Sequence, residues 1–308
     1  MISIIGQRKI WLTISSIMVI ASIVCFALFG LKMGIDFTGG SLMEVEFFVP
    51  RPSNQQVNEV LSPLGLTGAV IQPIGDTGLV IRLKDMSEET HQALLKDLTV
   101  KFTPAGAQPE TKVLEQKRFD SVGPTVGAEL KKKAIWAVVI VVLAIIAYIG
   151  WAFRKVSKPV ASWKYGLVAV ISLMHDIIIV IGLFAILGKF YGIEVNAPFI
   201  AALLTIFGYS NNDTIVVFDR IRENLKRRVG EDFDHVVDQS INEVIVRSIN
   251  TSFTVLLALF AIFMFGGSSI HDFTLALIIG VTIGTYSSIF LASPLLVIWE
   301  KARHNRIN

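Results

Sequence analysis

Asp213 lies in the stretch PFIAALLTIFGYSNNDTIVVFDRIREN, residues 198–224, which otherwise reads as a membrane-crossing helix. An ionised carboxylate is costly in hydrocarbon, so a chain that keeps one there shields it, pairs it or moves a proton through it. Counting back from Asp219 at about 1.5 Å per residue puts Asp213 roughly 9 Å inside the cytoplasmic end of its helix. Arg247 stands at a similar depth on the next, antiparallel stretch, so the two are placed to face each other. Asn250, Thr251 and Thr254 continue the Arg247 face at i+3, i+4 and i+7, and Tyr209 and Ser210 lie one turn from Asp213. This polar seam has two readings. A static ion pair would lock two helices together; a proton relay would take up a proton when the pair separates and release it on re-pairing.

His175 and Asp176 fall near the middle of another apolar stretch. Adjacent helical positions are about 100° apart, so both cannot face one partner, and they fit either a relay or hydrogen bonding to nearby backbone. His271 and Asp272 fall at a span's outer end, where solvation accounts for them. Gly280 and Gly284, followed by Thr285, Ser287 and Ser288, have the spacing of close helix contact. No catalytic constellation emerges. A lone membrane Ser or His is no triad, no His/Cys/carboxylate cluster has metal-ligand spacing, and Gly39-Gly40 lacks the rest of a phosphate-binding loop. The expectation is a non-enzyme without cofactor or metal.

The elements that carry these residues follow from composition. The chain is 53% apolar and 17% charged, with a formal net charge of +3. The apolar residues come in long blocks, which makes this an integral membrane protein, and the small net charge argues against nucleic acid as a partner. Cys25, the single cysteine, leaves no intrachain disulfide. Blocks at 10–30, 134–153, 165–187, 198–218, 241–265 and 273–299 each approach the roughly 20 residues a spanning helix needs. The polytopic α-helical chain is therefore read with six transmembrane helices. Arg8 and Lys9, then Arg154, Lys155, Lys158 and Lys164, then Arg220 to Arg228, then Lys301, Arg303 and Arg306 place both termini in the cytoplasm. The first block reads as an uncleaved anchor. Ile221, Leu225 and Val229 suggest a short amphipathic helix on the membrane surface within the cytoplasmic segment 219–240.

The domains read as 1–35, the first helix; 36–133, an exported α+β domain; and 134–308, the remaining spans. In the α+β domain Met43, Val45, Phe47 and Val49 alternate as a strand, and Val57, Val60, Leu61 and Leu64 have helical spacing. A strand at 69–74 and one carrying Leu79, Ile81 and Leu83 flank a tight turn at 75–78. Ser87 and Thr90 open a helix striped by Leu94, Leu95, Leu98 and Phe102, and a last strand spans 111–119. The order βαββαβ is that of a ferredoxin-like fold.

Several long motifs give the chain a resemblance. These are Asp36-Phe37-Thr38-Gly39-Gly40, Val122-Gly123-Pro124, His175-Asp176, Gly208-Tyr209-Ser210 with Asn212-Asp213-Thr214, and Phe218-Asp219-Arg220-Ile221-Arg222-Glu223-Asn224. Arg247-Ser248-Ile249-Asn250-Thr251-Ser252 and Gly284-Thr285-Tyr286-Ser287-Ser288 complete the set. In this order they resemble the SecF family, the smaller partners in SecDF protein-export complexes of the resistance-nodulation-division superfamily. Asn211 departs from the apolar residue usual there. The resemblance implies residence in the bacterial inner membrane with 36–133 periplasmic, pairing with SecD, and association with the SecYEG channel and YajC. It also implies use of the proton gradient to help draw translocating polypeptide across the bilayer, with Asp213 and Arg247 matching the proton pathway. A stand-alone exporter of small molecules or lipids from the same superfamily is the alternative.

Overall fold

The computed structural model describes residues 3–84, 86–106, 111–152 and 160–304. The chain divides into two compact units, Met33–Lys133 and the remainder, Met1–Lys32 with Ala134–Asn308.

The smaller unit opens with one helical turn, α2 (Ile35–Thr38), the helix α1 (Arg8–Phe29) belonging to the other unit. Gly39 and Gly40 follow with φ of +73° and +123°. A Cβ on Gly40 would lie 2.6 Å from the Leu83 carbonyl oxygen and one on Gly39 2.8 Å from the Pro124 Cα, so only glycine fits this close approach. The order then runs β1 (Gly40–Phe47), α3 (Asn54–Leu61), β2 (Val70–Ile74), β3 (Gly78–Leu83), α4 (Glu88–Phe102) and β4 (Leu114–Val122). The strands form one sheet in the order β2-β3-β1-β4, every neighbouring pair antiparallel. The alternation read from the sequence is the buried face: Met43, Val45 and Phe47 of β1 join Leu79 and Ile81 of β3, Val57 and Leu61 of α3, and Leu94 and Leu98 of α4 in one core. Ser53 and Gln56 close a capping box at the start of α3, and the Ser87 hydroxyl accepts the Thr90 amide at the start of α4. β4 begins and ends three residues later than the alternation suggests, because its pairing with β1 continues to Gly40 opposite Val122.

The larger unit is a helix bundle: α1 (Arg8–Phe29), α5 (Pro124–Ala152, shared with the smaller unit at its start), α6 (Ser162–Tyr191), α7 (Ala197–Arg227), α8 (Phe233–Phe265), α9 (Ser268–Ser287) and α10 (Ser293–His304). A π-helical turn, Ser288–Ala292, joins α9 to α10 without a break. Among the described residues, five stretches are long and apolar enough to cross a membrane: α1, most of α5, α6, α8 and the continuous α9–α10. α7 is 31 residues long; Asn211, Asn212 and Asp213 interrupt its apolar run. It packs against α6, α8 and α9.

Two expectations about the charged segments need correction. The segment after Asp219 is no separate amphipathic helix. Ile221 and Leu225 are buried, continuing the inward face of α7 at the spacing that begins with Phe218, whereas Val229 is 88% exposed beyond the helix end. Lys164 is not a loop charge: it is buried in the first turn of α6, with its Nζ 2.5 Å from Glu300 Oε2 of α10. Arg154, Lys155, Lys158 and Arg306 lie outside the described residues.

Candidate functional site

The bundle interior carries a polar seam in an apolar surround, built chiefly from small hydroxyl side chains. α7 supplies its centre. Asp213 is 8% exposed, and its Oδ2 has no hydrogen-bond partner. Across from it on α8 is the buried Ser248 hydroxyl, close enough to act on the carboxylate but without the geometry of a closed hydrogen bond. No ion pair joins Asp213 to Arg247. The inward face of α8 is set by Val237, Ile241, Val244, Ser248 and Ser252, and Arg247 is one position, or about 100°, round from Ser248. Arg247, Asn250, Thr251 and Thr254 are all exposed in the chain by itself. The guanidinium acts on Asp213 only through its field.

Asp176 is the most fully partnered group in the seam. It is wholly buried, and its carboxylate accepts from three directions. Its Oδ1 lies 2.9 Å from His175 Nδ1, and its Oδ2 accepts from Ser210 Oγ at 2.5 Å and Ser287 Oγ at 2.8 Å. The adjacent His175 and Asp176 therefore bond to each other, with Asp176 reaching on to α7 and α9. His175 Nε2 is buried without a partner, and its ring stacks near Tyr286, whose hydroxyl lies 3.1 Å from Ser15 Oγ of α1.

Tyr209 donates to Ser252 Oγ at 2.9 Å, and Ser252 is 2.6 Å from Thr285 Oγ1. Thr214 and Ser288 meet at 3.0 Å. Thus Tyr209, Ser210 and Asp213 are brought together with Asp176, whereas Arg247, Asn250 and Thr251 stand on the outer face. Sequence reasoning missed Thr214, Ser248, Ser252, Ser287 and Ser288 as members of the seam. The available signal was the glycine spacing: a Cβ on Gly284 would lie 3.0 Å from the Ser210 Cβ, so α9 approaches α7 closely there. Ser287 and Ser288 follow one turn later, on the same side.

No group of three His, Cys, Asp or Glu side chains among the described residues could hold a metal ion. What the site offers is a buried carboxylate with an open acceptor beside a chain of hydroxyls that can pass hydrogen bonds between helices.

Comparison with known proteins gives this arrangement a family. Residues 105–302 match the model for the SecD/SecF protein export membrane protein, C-terminal, and residues 26–47 match the SecD/SecF GG motif. The chain belongs to the SecF family. It is 41% identical to the protein translocase subunit SecF of Thermobaculum terrenum, covering 100% of this chain and 96% of that one. The corresponding subunit of a Synechocystis species is 38% identical, with 96% and 93% covered. Among solved structures, SecDF of Thermus thermophilus, a translocon-associated membrane protein, matches with a TM-score of 0.81 at 32% identity. That match covers 97% of this chain but 39% of the other. SecDF in its super-membrane-facing form matches with a TM-score of 0.68 at 31% identity. The family's glycine pair is the Gly39-Gly40 whose backbone the fold leaves no room to substitute.

Proposed function

We propose that the chain is the smaller, non-enzymatic subunit of a proton-driven machine that assists protein translocation across the bacterial inner membrane, acting with SecD. The observation that carries this is a buried carboxylate with an unpartnered oxygen, Asp213, in the middle of α7, within a chain that matches translocase subunits over its full length. The chain spans 39% of the single-chain SecDF, which supports SecD as the missing portion. The polar outer face of α8 supports the same reading, because Arg247, Asn250 and Thr251 need a protein neighbour where lipid would otherwise lie. The wider assembly is read as including the SecYEG channel, YajC and the translocating polypeptide.

In this reading α7 joins the five apolar stretches as the fourth of six spanning helices, both termini are cytoplasmic, and residues 36–133 form an extracytoplasmic ferredoxin-like domain. The antiparallel strand order β2-β3-β1-β4 supports that fold. Ser248 faces Asp213 in the present arrangement. A rotation of α8 by about 100°, or a swing of the guanidinium round it, exchanges Ser248 for Arg247. Pairing with Arg247 then releases a proton from Asp213, and separation readmits one. One charge crossing the field is worth about 2.3 kcal/mol per 100 mV, enough to bias a conformational cycle. The test is export of a secreted reporter by cells carrying Asp213→Asn at normal subunit levels. The expected result is loss of the proton-dependent component; export at the parental rate would overturn the relay.

A further inference from the structure

Beyond the relay, the bundle interior holds a second carboxyl, Asp176 of α6. Its carboxylate is wholly buried and does not touch Asp213, yet it binds three side chains on three helices. We propose that Asp176 is the latch that fixes α7, and with it Asp213, against α6 and α9. This rests on the reading of Asp213 as the group that carries the proton.

The geometry runs through Ser210. That serine lies one turn before Asp213 on the same helix and donates to Asp176 at 2.5 Å. Thr214, beside Asp213, is held in turn by its bonds to the Ser210 carbonyl and the Ser288 hydroxyl. Ser287 ties α9 to the same Asp176 oxygen. Rotation or sliding of α7 therefore cannot occur without breaking the Ser210 bond, and a wholly buried carboxyl stripped of a donor with no water to replace it is costly. His175 supplies the third donor and keeps the carboxylate oriented toward the seam. Tyr286 of α9 is the other titratable group beside the cluster, its ring near that of His175; among the described residues no lysine or arginine pairs with Asp176.

Asp176 is thus a positioning residue, acting on Asp213 through α7. A residue that merely filled the core would loosen the whole bundle when changed, whereas a latch loosens α7 alone. The experiment uses the full chain with its larger partner in membrane vesicles, with Cys25→Ser and one reporter cysteine. The reporter is Ser248→Cys, which faces Asp213, or Ser22→Cys, which is buried where α1 meets Gly182 of α6. The readout is the labelling rate by a membrane-permeant maleimide. With Asp176→Asn, labelling at position 248 is expected to quicken about tenfold or more, with position 22 unchanged. Ser210→Ala combined with Ser287→Ala is expected to reproduce the effect, and Asp176→Glu to reverse part of it. Unchanged labelling at 248, or equal acceleration at both positions, overturns the latch. Labelling does not depend on proton transport, so the outcome is separate from the Asp213→Asn export test. Normal export by Asp213→Asn would defeat the relay while leaving the labelling result to decide whether α7 is latched.

Discussion

Two carboxylates in one bundle, Asp176 and Asp213, have opposite surroundings. Asp176 is met by three donors, while Asp213 keeps an oxygen with no partner. The first is suited to holding position and the second to accepting a proton. Outside the bundle the α+β unit shows how a single side chain resolves a conflict. Glu46 of β1 stands directly opposite Glu115 of β4, an unfavourable cross-strand pair. Lys117 Nζ lies 2.9 Å from both. Hydrogen bonds from Lys117 and then Lys112 hold Glu115 below the usual 4.5, and those from Glu115 and then Glu46 hold Lys117 above the usual 10.5. A lowered carboxylate contributes stability above its unfolded value and loses it as the pH falls through its folded value; a raised lysine contributes below 10.5 and loses it as the pH rises past its folded value. Lys117→Met is therefore expected to destabilise most at neutral pH, where both glutamates are charged, with wild type and variant converging in acid. Thermal unfolding of the purified chain from about pH 7 down to about pH 3 checks this.

At the scale of elements, the contact of α7 with α9 depends on missing atoms. A Cβ on Gly280 would lie 2.2 Å from Ile206 Cδ1 and 2.3 Å from its Cγ1. Gly280→Ala is expected to cost about 1–3 kcal/mol through overpacking, and adding Ile206→Ala, which removes the clashing atoms, is expected to recover about 1 kcal/mol or more relative to additivity. Denaturant unfolding of the two single variants and the double variant measures the coupling. Gly280 and Gly284 were legible in the sequence because small residues four apart signal close approach. The phase of α8 was not. Counting polar residues from Arg247 selects a stripe through Asn250, Thr251 and Thr254, but the helix turns by its apolar residues, and Val237, Ile241 and Val244 carry Ser248 inward instead. Likewise the charges after Asp219 read as a surface helix because Ile221 and Leu225 continue a buried face whose covering helices are distant in sequence. The strand and helix order of the α+β unit was legible throughout, since alternation, helical stripes and Ser caps act locally.

For the whole molecule, the outer face of α8 decides what the bundle needs around it. Arg247, Asn250 and Thr251 stand among Val246, Ile249 and Phe253, all exposed in the isolated chain. If this face meets SecD, replacing Asn250 and Thr251 together by Leu removes polar contacts without harming membrane insertion. Co-purification of the larger partner is then expected to fall about fivefold or more, since one or two interhelical polar contacts are worth roughly 1 kcal/mol. Retention of the partner at parental levels would assign the face to lipid.

The π-helical turn at Ser288–Ala292 bears on the far end of the chain. Such a turn holds one residue more than an α-helical turn, so every side chain of α10 is set about 100° further round than uninterrupted winding would set it. Glu300 reaches buried Lys164 only in that phase. Past Ser288, whose hydroxyl meets Thr214, counting therefore matters more than chemistry in this stretch. Deleting Ala292 would aim Glu300 elsewhere and leave an ammonium stranded in the core. Such a deletion is expected to lower the amount of folded chain in membranes far more than a one-for-one exchange such as Ala292→Ser.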